Sequence, residues 1–295
     1  MQPHRAHTVI TVLCVAVLPG CLSEVRSTPP IVALITDYGS RDAYAGVLAG
    51  AILRQCPDAH LVTITHEVPA FDVAAGSYLL ARAAGELPQH TVTVAVVDPG
   101  VGTQRRSIVV RTKSGRLFVG PDNGLFTGVI ADQGLARAWE ITNQRLLRPG
   151  ALSNTFHGRD IYGPIGGRLA AGMPPDNVGP VIADPQRLAI RPPARTDGVC
   201  TGLVLHVDHY GNVTTNVPAA WLADGLTAGQ ASVIVKVNGE RFEAVYARTY
   251  ADVPAGALLV LGNAEGRLEI ARNAASAAGL LKVTAGSEVE IRFDR

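Results

Sequence analysis

Buried-strand patterns alternate with helix patterns over residues 31–171, and this alternation is the feature that most restricts the fold. Residues 31–36 are almost continuously apolar, as is typical of a strand that is covered on both faces. Two further strands are predicted at 61–65 and 91–97, of which the latter is entirely apolar or β-branched. Segments with apolar residues at helical spacing separate the three strands. Strands that alternate with helices predict an α/β layer with a mostly parallel sheet.

A hairpin and several helices complete this predicted layer. Residues 107–112 and 116–119 are strand-like and flank the turn residues Lys113-Ser114-Gly115, which predicts a hairpin. The predicted helices cover 42–54, 72–86, 123–131 and 158–171. Asp72 is the expected N-cap of the second of these helices.

Prolines and arginines interrupt the pattern near the middle of the chain. Pro185, Pro192 and Pro193 lie among three arginines, which predicts a linker. Short β-type runs separated by turn residues follow at 203–207, 233–237, 258–261, 267–270 and 289–293, which predicts a small β-barrel or sandwich. We therefore expect an α/β N-terminal domain at 31–190, a smaller β-barrel-like C-terminal domain at 198–295, and a ligand cleft where they meet.

Residues 1–30 have the layout of an export signal followed by a polar tether. Basic residues precede an apolar run at 9–18 that contains no acidic residue and is too short to span a membrane. Leu18-Pro19-Gly20-Cys21 closes this run like a bacterial lipoprotein cleavage site, so we expect an exported protein anchored by lipid on Cys21. The alternatives are an ordinary signal peptide, or an extension from a misassigned start codon, in which case the protein is cytoplasmic.

Composition argues against two classes of partner. The net charge is +1 and aromatic residues make up 5% of the chain, so we expect no nucleic-acid partner. No pair of histidines has the His-x-x-x-His spacing of zinc ligands and no pair of cysteines the Cys-x-x-Cys spacing, so we expect no metal. After removal of the leader only Cys56 and Cys200 remain, and two buried free thiols are favoured over one disulfide.

Two polar segments follow predicted strands at the same edge of the sheet. Asp37 follows the first strand, and Asp98, Arg105 and Arg106 lie in the loop after the strand at 91–97. Ligands of open α/β sheets bind outside the carboxyl ends of strands, so these residues are candidates for a site. Asp37 can accept hydrogen bonds from a ribose diol, or it can cap a helix or stabilise a turn. Asp98 can act together with the arginines, or it can form a purely structural ion pair.

Three further polar segments have both a functional and a structural interpretation. His157 precedes a predicted helix, where the positive helix end favours a neutral imidazole, or it is purely structural. Residues 207–216 supply amides and a carboxylate, or form a plain hairpin loop. Residues 270–276 can offer backbone groups to the edge of a base, or begin a helix.

Taken in order, these segments resemble the S-adenosylmethionine (SAM) hydroxide adenosyltransferases and their relatives, the fluorinases and chlorinases. The resemblance runs from Ile31 to the C-terminus. It rests on ordered motifs at 36–39, 66–76, 97–106, 121–125, 156–160, 208–216 and 270–274. It implies an enzyme that uses water to cleave SAM at the ribose C5′ carbon, giving adenosine and L-methionine without a cofactor.

Within this family an Asp, an Arg and a His mark the members that use water. They correspond here to Asp98, Arg105 and His157, which the resemblance therefore implies are catalytic. Halogenases of the fluorinase type lack the set as a whole and carry a Ser at the position of Gly158. Fluorinases also have an extra loop where this chain has only residues 112–116. These differences favour hydrolysis over halogenation.

The resemblance also assigns residues to the sugar and to the methionine end of the substrate. Asp37 would hold the ribose hydroxyls, and Phe71 matches an aromatic position that packs near the sugar. Asp208 would bind the methionine ammonium. Ala264 and Glu265 stand where relatives often have a polar residue that helps to hold this end, so here the chain departs from the family pattern.

The adenine end is assigned to the C-terminal region. Tyr210 and Asn212 would sandwich and read the base, with Arg272 and Ala274 near its edge. Thr214 stands where halogenases have Trp. Members of the family form trimers with sites between subunits, so the resemblance implies a small-molecule substrate and a homotrimer.

Two alternatives to a hydrolase remain open from the sequence. One is a SAM-dependent halogenase that uses chloride or fluoride. The other is a non-catalytic adenosine- or SAM-binding lipoprotein, because SAM is mainly an intracellular metabolite that an exported enzyme would rarely meet.

Overall fold

A computed structural model describes residues 28–221 and 231–293 of the chain. The first part forms a seven-stranded sheet with helices on both faces. In chain order its elements are β1 (Ile31–Thr36), α1 (Tyr44–Leu53), β2 (His60–Thr65), α2 (Val73–Ala84), β3 (Val92–Val96), β4 (Ser107–Thr112), β5 (Leu117–Pro121), α3 (Thr127–Gln133), β6 (Leu135–Glu140), a π-helix (Gly158–Tyr162), α4 (Gly163–Ala170) and β7 (Val181–Ile182). Short 3-10 helices lie at Gln144–Leu146 and Pro175–Val178.

The sheet combines a parallel half with an antiparallel half. Its strand order is β2-β1-β3-β5-β4-β6-β7, in which the first four strands are parallel and the remaining pairings are antiparallel. β1 and β3 are buried along nearly their whole length. α1 and α4 pack on one face of the sheet, and α2 and α3 on the other. This arrangement confirms the predicted α/β class, and it explains why both strands lack polar alternation.

The second part is a closed seven-stranded barrel. Its elements are β8 (Ala194–Thr196), β9 (Val199–Val207), β10 (Val213–Pro218), β11 (Ser232–Val237), β12 (Glu240–Tyr246), β13 (Leu258–Gly262), β14 (Arg267–Arg272), α5 (Ala277–Leu281) and β15 (Glu288–Phe293), with 3-10 turns at Ala219–Trp221 and Tyr250–Asp252. The barrel order is β10-β14-β13-β12-β11-β15-β9, and β9 pairs again with β10. Closure satisfies the strand edges internally, while β8 adds to the outside of β9.

The polar segment at 207–216 was expected to form a turn, but its second half belongs to strand β10. The hydroxyl of Thr215 donates to the Leu268 carbonyl at 2.8 Å, and the side chain of Asn216 accepts from the Leu203 amide at 2.8 Å. Both residues are buried. Polar side chains thus occupy a barrel strand because neighbouring strands supply their hydrogen-bond partners.

The helix predicted at 158–171 is also different in detail, because its first turn is a π-helix. The amide of Gly163 donates to the Gly158 carbonyl, five residues back, before α4 continues with ordinary geometry. The helix predicted at 123–131 begins later, at Thr127. By contrast, Asp72 caps α2 as predicted, accepting from the Ala75 amide at 2.9 Å.

Helix α2 connects the two parts of the chain. The Tyr78 ring stacks on His206 of β9 with centroids 5.6 Å apart, and Arg82 forms an ion pair with Glu265 of the barrel. The last strand of the sheet ends at Ile182 and β8 begins at Ala194, with the predicted linker between them.

Several further expectations concern cysteines, metals and membranes. Cys56 and Cys200 are both buried, and neither forms a disulfide within residues 28–221 and 231–293, as favoured from the sequence. Within residues 28–221 and 231–293, no cluster of three His, Cys, Asp or Glu side chains is arranged to hold a metal ion. No helix in the same ranges has the length and apolar character needed to cross a bilayer. The lipid anchor at Cys21 lies outside the described residues and stays a prediction.

Candidate active site

A cavity of about 440 Å³ opens at the carboxyl ends of β1 and β3. The two strands are parallel neighbours with Thr36 opposite Val96, which brings Asp37 and Asp98 to the same sheet edge. A volume of this size is typical of small-molecule sites. Four of the predicted site residues line the cavity: Asp37, Phe71, Asp98 and His157. The structure therefore confirms that the polar segments after the first and third strands meet at one edge of the sheet.

Arg105 is held by hydrogen bonds to five acceptors. Its Nε donates to Asp98 Oδ1 at 2.8 Å and its Nη2 donates to Asp98 Oδ2. Nη2 also lies 2.8 Å from His157 Nδ1, and Nη1 donates to Ser107 Oγ and the Arg106 carbonyl. A guanidinium has five N–H groups, so the protein itself satisfies all of them. Arg105 orients its neighbours and has no N–H left over for a ligand.

The contact with Arg105 fixes the protonation state of His157. An arginine can only donate, so Nδ1 of His157 accepts, and the neutral ring carries its proton on Nε2. Burial, followed by the nearby Arg105 charge, lowers the pKa of His157 below its usual value near 6.5. At neutral pH the ring is therefore an uncharged Nε2–H donor.

The loop that carries Asp98 and Arg105 needs glycine at one point. Gly102 has φ of +79°, and a Cβ placed on it would overlap the carbonyl oxygen of Asn154. The loop therefore packs directly against the segment that leads to His157, which brings together residues that are 52 positions apart.

The π-helix after His157 is anchored by a fully buried carboxylate. Asp160 accepts from Arg159 Nε at 2.6 Å, from the Ser153 amide at 2.7 Å and from Arg148 Nη1 at 3.3 Å. Burial alone would raise the pKa of Asp160, but these hydrogen bonds and positive charges outweigh it, so the pKa lies below its ordinary value. The anchored turn places His157 beside Arg105.

Asp37 and Phe71 form a second part of the cavity wall. The Phe71 amide donates to Asp37 Oδ2 at 3.0 Å, and Phe71 has φ of +66°. Phe71 is 72% exposed, which is unusual for a large apolar residue and leaves it available to contact a ligand or another chain. Asp37 thus fixes a loop rather than capping a helix.

The remaining predicted residues lie on the barrel and do not line this cavity. Asp208 accepts from the amides of Tyr210 and Asn212 at 2.9 and 2.8 Å, and its other oxygen accepts from Asn212 Nδ2 at 2.9 Å. Arg272 donates to the Gly256 carbonyl at 3.0 Å, and Ala274 has φ of +54°. Tyr210 projects from this loop and is 76% exposed. Within one chain, the predicted site is therefore divided between the cavity and the barrel loop.

Two residues to which sequence reasoning gave no role hold the ends of the Asp98–Arg105 loop. Asn123 Nδ2 donates to the Val97 carbonyl at 2.9 Å, just before Asp98. Asp122 is buried and accepts from Arg106 Nε at 2.7 Å, just after Arg105. Both residues belong to the sequence motif at 121–125, but residue spacing alone does not show which groups they bind.

The fold and this site define a small-molecule-binding protein that joins an α/β sheet to a closed β-barrel. Family comparison makes the class specific. The SAM hydroxide adenosyltransferase N-terminal domain matches residues 32–179, and the SAM hydroxide adenosyltransferase C-terminal domain matches residues 202–290. The chain belongs to the SAM hydroxide adenosyltransferase family, as the sequence motifs predicted.

Individual relatives agree with this assignment over most of their length. A protein of Salinispora arenicola named (R)-S-adenosyl-L-methionine hydrolase is 39% identical over 270 residues, covering 90% of this chain and 98% of that protein. A protein of the same name from Thermus thermophilus is 34% identical and covers 87% and 97%. A fluorinase of Nocardia brasiliensis is more distant, at 29% identity with coverage of 89% and 97%. A crystal structure of an uncharacterized conserved protein from Thermotoga maritima superposes with a TM-score of 0.85 at 39% identity, covering 88% of this chain and 99% of that one.

Proposed function

We propose that this protein hydrolyses SAM at the ribose C5′ carbon to adenosine and L-methionine. The observation that carries the proposal is the hydrogen-bonded Asp98–Arg105–His157 set, whose Asp98 and His157 line the cavity beside Asp37. The hydrolase names of relatives at 32–40% identity support the same reaction.

The reaction exchanges one bond at C5′ for another. The water oxygen forms a bond to C5′ while the bond from C5′ to the sulfonium sulfur breaks, and its electron pair stays on sulfur as a neutral thioether. One water proton is released. Because the leaving group is neutral, it needs no acid, and the difficulty lies in the nucleophile. Preparing free hydroxide from water of pKa ~15.7 at neutral pH would cost about 12 kcal/mol.

We propose complementary roles for the residues around that water. His157 can donate a hydrogen bond from Nε2 to the water oxygen, but it cannot accept the proton there, because Nε2 already carries one and Nδ1 faces Arg105. Asp98 is the carboxylate beside it, and it can accept a hydrogen bond from the water as the new bond forms. Arg105 holds both groups in place. Activation as the water attacks, together with positioning, replaces prior formation of hydroxide.

The substrate contacts follow the division of the site. Asp37 and Phe71 in the cavity are proposed to hold the ribose. Asp208 is proposed to bind the methionine ammonium, and four barrel residues are proposed to bind the adenine: Tyr210, Asn212, Arg272 and Ala274. The proposed scheme requires SAM and water, and it involves no cofactor.

The assay for this function separates the alternatives directly. Purified protein from about residue 27 is incubated with SAM, with and without halide, and the products are separated by chromatography. Adenosine and methionine in equal amounts, independent of halide, are expected. A 5′-halo-5′-deoxyadenosine product would establish a halogenase, and saturable binding of intact SAM would establish a carrier.

We also propose that the complete site forms between copies of the chain in a homotrimer. Two large aromatic side chains of the proposed site, Phe71 and Tyr210, are mostly exposed within one chain. The cavity and the barrel loop each hold only part of the proposed contacts, and a second copy can supply the missing half.

Mixing two inactive variants tests this arrangement. Asp98→Ala damages the cavity and Asp208→Ala damages the barrel loop, so a mixed trimer contains some sites with both halves intact. We expect mixtures that are unfolded and refolded together to recover at least a tenth of the normal turnover, while each variant alone stays inactive. If co-refolded mixtures that form hetero-trimers by native mass spectrometry recover no activity, each site lies within one chain.

The pH dependence follows from the protonation of His157. The neutral ring is the active form, and its pKa lies below the usual value near 6.5. Protonation as the pH falls would charge Nδ1 and break its contact with Arg105. We therefore expect kcat/KM to fall below an acid midpoint under 6.5 and to show no loss from this group at higher pH. Stopped assays from pH 4.5 to 8 measure the profile, and an acid midpoint above 7 would contradict this role.

A further inference from the structure

Tyr38 lies in the cavity wall between Asp37 and the His157 segment. Its ring packs against Tyr44 with centroids 5.9 Å apart and edge-on against Phe156 at 5.8 Å. Its amide donates to Thr36 Oγ1 at 3.2 Å. Packing on two sides and a fixed backbone leave the ring little freedom to move, so the position of its hydroxyl is well defined.

The Tyr38 hydroxyl lies directly against Gly158, the residue that follows His157. A Cβ placed on Gly158 would overlap Tyr38 Oη and would lie 3.3 Å from Cζ. The hydroxyl therefore occupies the space that any side chain at position 158 would need. Gly158 is required here for space, since its φ is not in the left-handed region.

The hydroxyl also has an unused hydrogen bond. Among residues 28–221 and 231–293, the electrostatic environment of Tyr38 consists of burial and nearby charges and includes no side-chain hydrogen bond to its hydroxyl. Burial, followed by the charges of nearby groups including Asp37 and Asp98, raises the pKa of Tyr38. The group thus stays protonated throughout the physiological range and can donate one hydrogen bond into the cavity.

We propose that Tyr38 is a further catalytic residue, whose hydroxyl donates a hydrogen bond to the attacking water beside His157 and Asp98. The inference rests on the proposed hydrolysis of SAM. Two neutral donors, from Tyr38 and His157, would then hold the two lone pairs of the water oxygen. As one water proton moves to Asp98, the electron pair of that O–H bond stays on oxygen and forms the new bond to C5′. The same hydroxyl keeps position 158 limited to glycine, which couples the two residues.

The first test compares Tyr38→Phe with the unchanged protein. Removing the hydroxyl while keeping the packed ring should lower kcat about ten-fold or more, leave KM within about three-fold and leave the melting temperature nearly unchanged. Tyr246→Phe removes a hydroxyl from a barrel tyrosine far in sequence from the cavity, and it should leave kcat unchanged. A kcat for Tyr38→Phe within two-fold of the unchanged protein would overturn the catalytic role.

A double-mutant cycle tests the coupling with Gly158. Gly158→Ser should lower the melting temperature and kcat/KM strongly in the original background, because the new side chain meets the Tyr38 hydroxyl. In the Tyr38→Phe background the added loss in kcat/KM should be at least ten-fold smaller. Additive effects would show that the two positions are independent and would overturn the spatial half of the proposal.

These outcomes are distinct from failure of the proposed function. If the unchanged protein produces no adenosine, hydrolysis itself is wrong, and so is the catalytic role of Tyr38. If it produces adenosine and both Tyr38 tests fail, hydrolysis stands and only the role of Tyr38 is wrong. The change in melting temperature caused by Gly158→Ser, compared between the unchanged protein and Tyr38→Phe, measures the contact between the two residues in either case.

Discussion

Asp98→Ala is expected to lower kcat for SAM hydrolysis by about 10²–10⁴-fold, with a much smaller change in KM. Asp98 accepts two hydrogen bonds from Arg105, and both side chains are at least nine-tenths buried. Its removal takes away the acceptor proposed for the water proton. It also leaves a buried guanidinium without its carboxylate, so Arg105 no longer holds His157 in place.

A matched control is available one residue further along the loop. Arg106 forms an ion pair with Asp184 at 2.9 Å, but the Asp184 side chain is 80% exposed. Asp184→Ala therefore removes an aspartate–arginine pair of the same type outside the cavity, and its kcat should stay within about two-fold. Adenosine formation under single-turnover conditions measures the chemical step in both variants. If Asp98→Ala keeps more than a tenth of the normal rate, another group must assist the water.

Asp160→Ala is expected to produce the largest loss of stability, about 3 kcal/mol in the free energy of unfolding. Its carboxylate is completely buried and accepts hydrogen bonds from Arg159, Ser153 and Arg148. The substitution leaves the Ser153 amide and two arginines without their acceptor and loosens the turn that follows His157. Urea denaturation followed by circular dichroism measures the loss, and activity should fall together with it.

An exposed ion pair provides the comparison for this second prediction. Glu288 accepts from Arg191 at 2.7 Å with both side chains more than half exposed, so Glu288→Ala should change the free energy of unfolding by less than about 0.5 kcal/mol. Equal effects of the two substitutions would mean that burial of Asp160 does not increase its contribution to the free energy of unfolding.

The stability that Asp160 contributes depends on pH in a definite direction. Its pKa is lowered in the folded protein, so the contribution is complete above the unfolded value of about 3.9 and is lost as pH falls through the folded value. The difference between the unchanged protein and Asp160→Ala should therefore be constant from pH 5 to 8 and shrink below about pH 4. A difference that grows in acid would contradict the assignment.

The sheet and the position of the cavity at its edge could be predicted from the sequence. They follow from apolar runs in the chain and from the rule that ligands bind at the carboxyl ends of parallel strands. Continuous apolar runs identified β1 and β3, and parallel strands place their following loops together, so pattern alone was enough to assign Asp37 and Asp98 to one edge. Residues alone gave no reason to place His157 beside Arg105. That expectation came from family resemblance, because the contact depends on Gly102 and on an irregular helix start.

Strand β10 is a part of the fold that the sequence alone does not predict. Thr215 and Asn216 look like turn residues in sequence, and their acceptor and donor lie in strands 53 and 13 residues away. Local propensity cannot anticipate partners that only barrel closure supplies. The role of Asn123 was hidden for the same reason, since its target is a carbonyl 26 residues earlier.

The π-helix at Gly158–Tyr162 makes the length of this segment as important as its side chains. Each residue of an α-helix turns the chain by about 100°, and a π-turn accommodates one residue more than an α-turn. Deleting one residue between His157 and α4 would restore regular helical geometry and rotate the imidazole by roughly that angle, away from Arg105. Related chains that keep the same chemistry are therefore expected to keep the same residue count between His157 and α4.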